Sequence, residues 1–180
     1  MSKSKCKKFL LMCVLGVFMG KNDVHSYVLG EKVNNFTLKD QDGVDFSLEK
    51  NKAAHWTVLY FYPKADTPGC TKQACAFRDS LEQIRNLNAQ IYGVSTDKVE
   101  NLKKFKEKYN LNFTLLSDVD GELSKLFETK MPLVNISKRN TFLIDPDLVL
   151  RHIDRDVDPV MDAQKIAKKL EELGAKKQTK

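Results

Sequence analysis

The sequence predicts an α/β fold in which a mixed central β-sheet is flanked by helices. Three observations carry this. Strand-like and helix-like hydrophobic periods alternate along the chain. The run from Trp56 to Tyr62 is almost continuously apolar or β-branched, as in a strand covered on both faces. The chain then closes on a strand pair and a final helix, so the sheet is mixed rather than wholly parallel.

Taken in order, Phe36-Thr-Leu38 and Val44-Asp-Phe46 flank a Gln41-Asp-Gly43 turn and read as a hairpin. Trp56–Tyr62 follows as the expected central strand. From Thr71 to Leu87, the residues Phe77, Leu81, Ile84 and Leu87 recur at helical spacing. Gln90–Ser95 is a second buried strand. Val99, Leu102, Phe105 and Tyr109 then mark an amphipathic helix with lysines on its other face. Phe113–Leu116 is a short strand, followed by the Asp118-Val-Asp-Gly121 turn and a short helix through Phe127. Thr141–Asp145 and Val149–Ile153 read as an antiparallel pair around Asp145-Pro-Asp147. The last helix, Pro159–Leu173, is expected to bury Val160, Ile166, Leu170 and Leu173, with Gly174 as its C-terminal cap.

A chain of 180 residues is large enough for one core that needs no disulfide staples. The domain is placed at residues 27–175, with a disordered tail over 176–180. The net charge is +6, but Lys3, Lys5, Lys7, Lys8 and Lys21 against Asp23 put four of those six charges in residues 1–26. The rest is an ordinary solvated surface with interleaved lysines and acids, which argues against nucleic-acid binding. The basic start precedes an apolar stretch, Phe9–Met19, too short for a spanning helix of about 20 residues. It fits the charged and apolar regions of a secretory signal peptide ending at Val24-His-Ser26. The mature chain then starts near Tyr27, has no stable membrane insertion and is exported, for example to a periplasm. Initiation at Met19 is the alternative and gives a cytoplasmic protein. Cleavage also removes Cys6 and Cys13, leaving Cys70 and Cys75. A pair five residues apart closes too small a loop to staple a fold, so its reading is redox chemistry.

The segment Tyr60-Phe-Tyr-Pro-Lys-Ala-Asp-Thr-Pro-Gly-Cys70 ends a strand in a Pro/Gly loop and delivers a thiol to a helix start. Pro63, Thr67 and Cys70 follow the spacing P-x-x-x-T-x-x-C. Unpaired N–H groups and the positive dipole end of a helix favour a thiolate there, and the thiolate is the reactive form of cysteine. Cys70 also falls at the carboxyl edge of the strand, where open α/β sheets place their sites.

This pattern resembles the peroxiredoxins, and most of all the subgroup called bacterioferritin comigratory protein or peroxiredoxin Q. The likeness runs from about Leu29 to Leu173. It includes Asp40-Gln-Asp-Gly43, Gly93-Val-Ser-Thr-Asp-Lys98, Asn112-Phe-Thr-Leu-Leu-Ser-Asp118 and Thr141-Phe-Leu-Ile-Asp145. The resemblance implies a thioredoxin-like fold, which the element order satisfies. It also implies a thiol peroxidase that reduces hydrogen peroxide and organic hydroperoxides and is recycled by thioredoxin or a similar dithiol. No metal, haem or flavin is implied, and a monomer is expected.

Peroxide reduction needs an ionised thiol, a peroxide held in line, a stabilised negative charge and a route out of sulfenic acid. Cys70 is the candidate nucleophile. Thr67 would put its hydroxyl on the thiolate and the bound peroxide, and Pro63 would close one side of the pocket against water. The resemblance places Arg139, two residues before Thr141, against the thiolate; its planar, permanently charged fork suits that role. Cys75 would resolve the sulfenic acid. Positions five apart on an ideal helix are roughly 8–9 Å apart at Cα, whereas a disulfide needs less than about 7 Å. The helical turn must therefore unwind before the bond forms. The plain alternatives are a capping Thr67, a solvated Arg139 beside Lys138, and a Cys75 that is a small apolar helix residue. The chain departs from the family in the short Phe127–Arg139 segment and in Asp145-Pro-Asp-Leu148, which lacks the usual turn glycine.

Other chemistries find less support. His55 and His152 lack metal-ligand spacing relative to the cysteines. There is no G-x-S-x-G elbow and no phosphate-binding glycine pattern. A disulfide oxidoreductase on the same fold would use C-x-x-C rather than C-x-x-x-x-C. A redox-sensing binding module would oxidise Cys70 without turnover.

Overall fold

The computed structural model describes residues 26–176. The segment assigned to a signal peptide, apart from Ser26, and the tail beyond Lys176 lie outside the described residues. Strands β1 (Thr37–Asp40), β2 (Asp45–Ser47), β3 (Trp56–Phe61), β4 (Ala89–Ser95), β5 (Thr114–Ser117), β6 (Asn140–Ile144) and β7 (Leu150–Asp154) form one sheet. Its order is β2-β1-β5-β4-β3-β6-β7. β3 and β4 pair in parallel, as do β4 and β5, while β6 runs antiparallel to β3 and β7. The helices are α1 (Pro68–Asp79), α2 (Leu81–Asn86), α3 (Val99–Lys108), α4 (Glu122–Leu126) and α5 (Asp162–Glu172).

The continuous apolar run of β3 is explained by its neighbours. Val58, Tyr60 and Tyr62 share one core with Phe77, Ile84, Phe105 and Leu170. Leu59 and Phe61 point into a second core with Leu48, Leu123 and Phe127. This is the two-residue period of a strand buried on both faces. Burying a side chain such as Phe77 fully contributes about 1.5–3 kcal/mol. β3 lies between β4 and β6, so it is interior, but the middle strand of the sheet is β4. Among the described residues, no helix is long and apolar enough to cross a membrane.

Three expectations need correction. The helix expected from Thr71 starts three residues earlier, because Pro68 has a helical φ and lacks only an N–H that would be unpaired anyway. It also breaks at Ser80, whose φ of −97° and ψ of 4° end α1 before α2 begins. Adjacent Asp79 and Ser80 are poor helix-interior residues, which favours a break there. The last helix begins at Asp162, not Pro159. The Asp158 carboxylate accepts from the N–H groups of Val160 and Met161 and makes that stretch a capping turn. Val160 is consequently 54% exposed, and Leu173, at the C-terminal cap, is 36% exposed. Ile166 and Leu170 are buried as expected, and Gly174 ends the helix at a φ of 81°.

Both departures from the family pattern resolve into ordered backbone. In Phe127–Arg139, Lys130 and Ser137 form an antiparallel bridge, and Lys138 N donates to Thr129 O at 2.6 Å. The buried Ser137 hydroxyl meets Ser124 Oγ at 2.7 Å, and Ser124 donates to Asp118. The segment leading into β6 is therefore tied to α4 and the turn before it. In the β6–β7 turn, Leu148 takes the left-handed position at a φ of 63°. Asp145 supports it by accepting from the N–H groups of Asp147 and Val149. The left-handed conformation costs about 1–2 kcal/mol. Burial of the Leu148 side chain, only 1% exposed, is worth about 1.5–3 kcal/mol and offsets it. The pairing does carry a register shift at Leu143/Ile144.

Candidate active site

Residues 62–67 connect β3 to α1, and two acids fasten this loop. Asp97, beyond the end of β4, accepts from the backbone N–H of Ala65 at 2.7 Å and from Ser95 Oγ at 2.9 Å. Asp66 sits in the left-handed region at a φ of 59° and accepts from Lys108 Nζ and the Tyr109 hydroxyl. Thr67 is the N-cap of α1 in an extended conformation, which puts Cys70 in the first helical turn. Cys70 is 2% exposed, Cys75 is half-buried, and both are free thiols. Both lie on the continuous helix α1.

Arg139, at the end of the short segment before β6, donates from Nη2 to Cys70 Sγ at 3.4 Å. Gly69 leaves room for this approach: a Cβ there would stand 3.2 Å from Arg139 Nη2, a tight contact that the guanidinium would have to yield to slightly. Arg139 Nη1 donates to Gln73 Oε1. Gln73 Nε2 in turn donates to Asp162 Oδ2 at 2.6 Å, and Thr141 Oγ1 donates to the same oxygen at 2.8 Å. Gln73, Thr141 and Asp162 are all fully buried. Tyr60 packs beneath, stacked on Phe77 with ring centroids 4.7 Å apart. Burial holds its phenol well above the usual range. Gly93 of β4 gives Tyr60 its space, because a Cβ there would come within 2.6 Å of the ring.

The structure thus brings Cys70 and Arg139 together. Pro63 is half-buried in the loop. Thr67 differs from expectation: its hydroxyl donates to the Lys64 carbonyl at 3.0 Å, closing the loop on itself, and makes no capping bond to α1. Three residues went unnoticed in the sequence: Gln73, Asp97 and Asp162. Gln73 was legible as a polar residue three positions after Cys70 and four before Phe77, on the buried stripe of α1. Asp162 likewise falls on the stripe of Ile166 and Leu170. Among the described residues, no group of three or more His, Cys, Asp or Glu could hold a metal ion.

Burial pushes the Asp162 carboxyl up to about 6, against the opposing hydrogen bonds from Gln73 and Thr141. Between about pH 4 and 6 the folded protein keeps a proton there that the unfolded chain has released. Stability therefore falls as pH rises through that window, by about 3 kcal/mol at most from this group. Asp162→Asn removes the contribution. In denaturant unfolding at several pH values, the stability of the native protein relative to Asp162→Asn is expected to decline from pH 4 to 6. A pH-independent difference would show that Asp162 is not so shifted.

The sheet order and the loop-to-helix cysteine define a thioredoxin-like fold carrying a thiol site. The chain belongs to the AhpC/TSA family, whose model matches residues 29–153. It is 45% identical over 125 residues to "Peroxiredoxin Q, chloroplastic" of Oryza sativa subsp. japonica, covering 69% of this chain and 57% of the relative. It is 40% identical to "Peroxiredoxin Bcp" of Escherichia coli strain K12, covering 71% of this chain and 85% of the relative. Among solved structures, peroxidoxin BcpB from Mycobacterium tuberculosis superposes with a TM-score of 0.76 at 35% identity, covering 81% of this chain and 97% of the other. These are relatives of the subgroup that Thr67-Pro-Gly-Cys70 resembles. The chain spans little more than half the length of the rice relative.

Proposed function

We propose that this chain is a thiol peroxidase that reduces hydrogen peroxide and small organic hydroperoxides, with thioredoxin or a similar dithiol as electron donor. The observation that carries this reading is the Arg139 guanidinium on the sulfur of a cysteine in the first turn of α1. The family membership supports it. The Cys70 thiolate attacks one peroxide oxygen, an S–O bond forms and the O–O bond breaks. The departing oxygen takes a proton and leaves as water or alcohol, and Cys70 becomes a sulfenic acid, oxidised by two electrons. Arg139 stabilises negative charge first on sulfur and then on the leaving oxygen. Pro63 limits water at the sulfur. Thr67 turns its hydroxyl from the Lys64 carbonyl toward the peroxide.

Cys75 then attacks the sulfenic sulfur, water leaves, and a disulfide forms after the intervening turn of α1 has opened. Cys75→Ser is expected to complete one turnover and accumulate sulfenic acid at Cys70. Sustained wild-type turnover by that variant would assign the resolving role elsewhere. The reading as a whole is tested by peroxide consumption in the presence of thioredoxin and its reductase. Continued NADPH oxidation supports it, whereas its absence with folded, reduced protein favours a redox-sensing module.

Residues 27–175 are taken as the working unit, acting as a monomer after removal of the segment through Ser26. In an extracytoplasmic space that keeps dithiols oxidised, the enzyme requires a dedicated thioredoxin-like donor. Mass spectrometry of the native protein tests this: a chain starting near Tyr27 supports export, and one starting at Met19 or Gly20 supports the cytoplasm.

A further inference from the structure

Asp162 takes no part in the reaction just described, yet it is fully buried and, among the described residues, its Oδ1 has no hydrogen-bond partner. A buried carboxylate with an unsatisfied oxygen is costly, so its place needs a reason. The geometry supplies one. At neutral pH, above the range in which it keeps its proton, the carboxylate only accepts, so Gln73 turns its amide nitrogen toward Asp162 Oδ2, as observed at 2.6 Å. The amide oxygen of Gln73 is thereby committed to Arg139 Nη1, and Nη2 is left on Cys70. Thr141 on β6 donates to the same carboxylate oxygen and helps fix it. Asp162 thus sets the polarity of a relay that ends at the reactive sulfur.

The relay also has a mechanical consequence. Gln73 lies between Cys70 and Cys75, in the part of α1 that must open for the two sulfurs to meet. Its bond to Asp162 ties that part of α1 to α5 in the buried interior. We propose that Asp162 is a positioning residue that latches the Cys70–Cys75 segment of α1 to α5. In doing so it aims Arg139 at the sulfur and opposes the opening that disulfide formation requires. The inference rests on the peroxidase reading for its kinetic consequence but not for its structural one.

Two readouts separate these. In the reduced protein, Asp162→Ala is expected to speed hydrogen exchange of the backbone amides from Thr71 to Phe77 by about tenfold, the loss of one hydrogen bond to a charged group. Ile166→Val, a buried change on the same helix, serves as the control for mild general destabilisation and should leave that stretch within about twofold. In rapid-mixing experiments, Asp162→Ala should slow peroxide attack by about tenfold and accelerate the later disulfide step by a similar factor. Asp162→Asn keeps an acceptor for Gln73 and should lie between the native protein and Asp162→Ala in both rates. Added to Gln73→Ala, Asp162→Ala should have little further effect, because both remove the same link. Unchanged exchange in Asp162→Ala, equal acceleration in Ile166→Val, additivity with Gln73→Ala, or both kinetic steps slowing together would each overturn the latch. If the native protein fails to react with peroxide, the peroxidase reading falls, and the exchange experiment still decides on the latch.

Discussion

Cys70→Ser is expected to abolish peroxide consumption while leaving the fold intact. The sulfur sits in the first turn of α1, 2% exposed, with a guanidinium nitrogen 3.4 Å away. A serine hydroxyl in that position stays protonated at neutral pH, and without an adjacent general base it is a poor nucleophile. The guanidinium can stabilise charge on the site but cannot create the nucleophile. The exchange of sulfur for oxygen is nearly isosteric and leaves Ala74, Phe77 and Tyr62 packed around the site. Thermal unfolding should therefore shift little while NADPH-coupled turnover disappears. Residual turnover at a substantial fraction of the native rate would mean that another group carries the oxidation.

Arg139→Ala should have the next largest effect, slowing peroxide attack by about 10²–10³, the usual loss when a preorganised donor to developing charge is removed. The variant keeps the thiol but leaves both it and the buried Gln73 oxygen without their donor. Lysine should restore little. It offers a single point charge, whereas the planar fork of Arg139 reaches Gln73 and Cys70 with two nitrogens at once. The disulfide step should not slow, because that step requires the segment to leave Arg139. Rapid mixing of reduced protein with peroxide resolves the two phases, and a slowed second phase with a normal first phase would refute the assignment.

The fold was legible where the chain used strong local signals. The double-sided burial of β3 wrote an unbroken apolar run, and Gly174 marked the end of α5 through its left-handed conformation. Val160 was misread because a period alone cannot tell a helical turn from a capping turn that Asp158 draws outward. The break at Ser80 left Phe77, Leu81 and Ile84 on their expected buried face, so the periodicity gave no warning of it. At the site, the loop and Cys70 were carried by local chemistry. Arg139 is distant in sequence and entered only through the family resemblance, since no local pattern links it to Cys70. Gln73 and Asp162 were missed because a polar side chain near a helix start reads as solvated surface. Both nevertheless fall on the buried stripes of their helices; what spacing does not show is that these two stripes meet, which follows from α1 packing on α5.

The central claim, that Cys70 is the group peroxide oxidises first, is most directly tested by locating the first oxygen. Reduced Cys75→Ser protein would be mixed with one equivalent of hydrogen peroxide, quenched and digested for mass spectrometry with a sulfenic-acid trap present. The expected result is a single oxygen on the peptide carrying Cys70, labelled by the trap in stoichiometric yield. Oxidation of a methionine in its place, or peroxide left unconsumed by fully reduced protein, would contradict the assignment of Cys70.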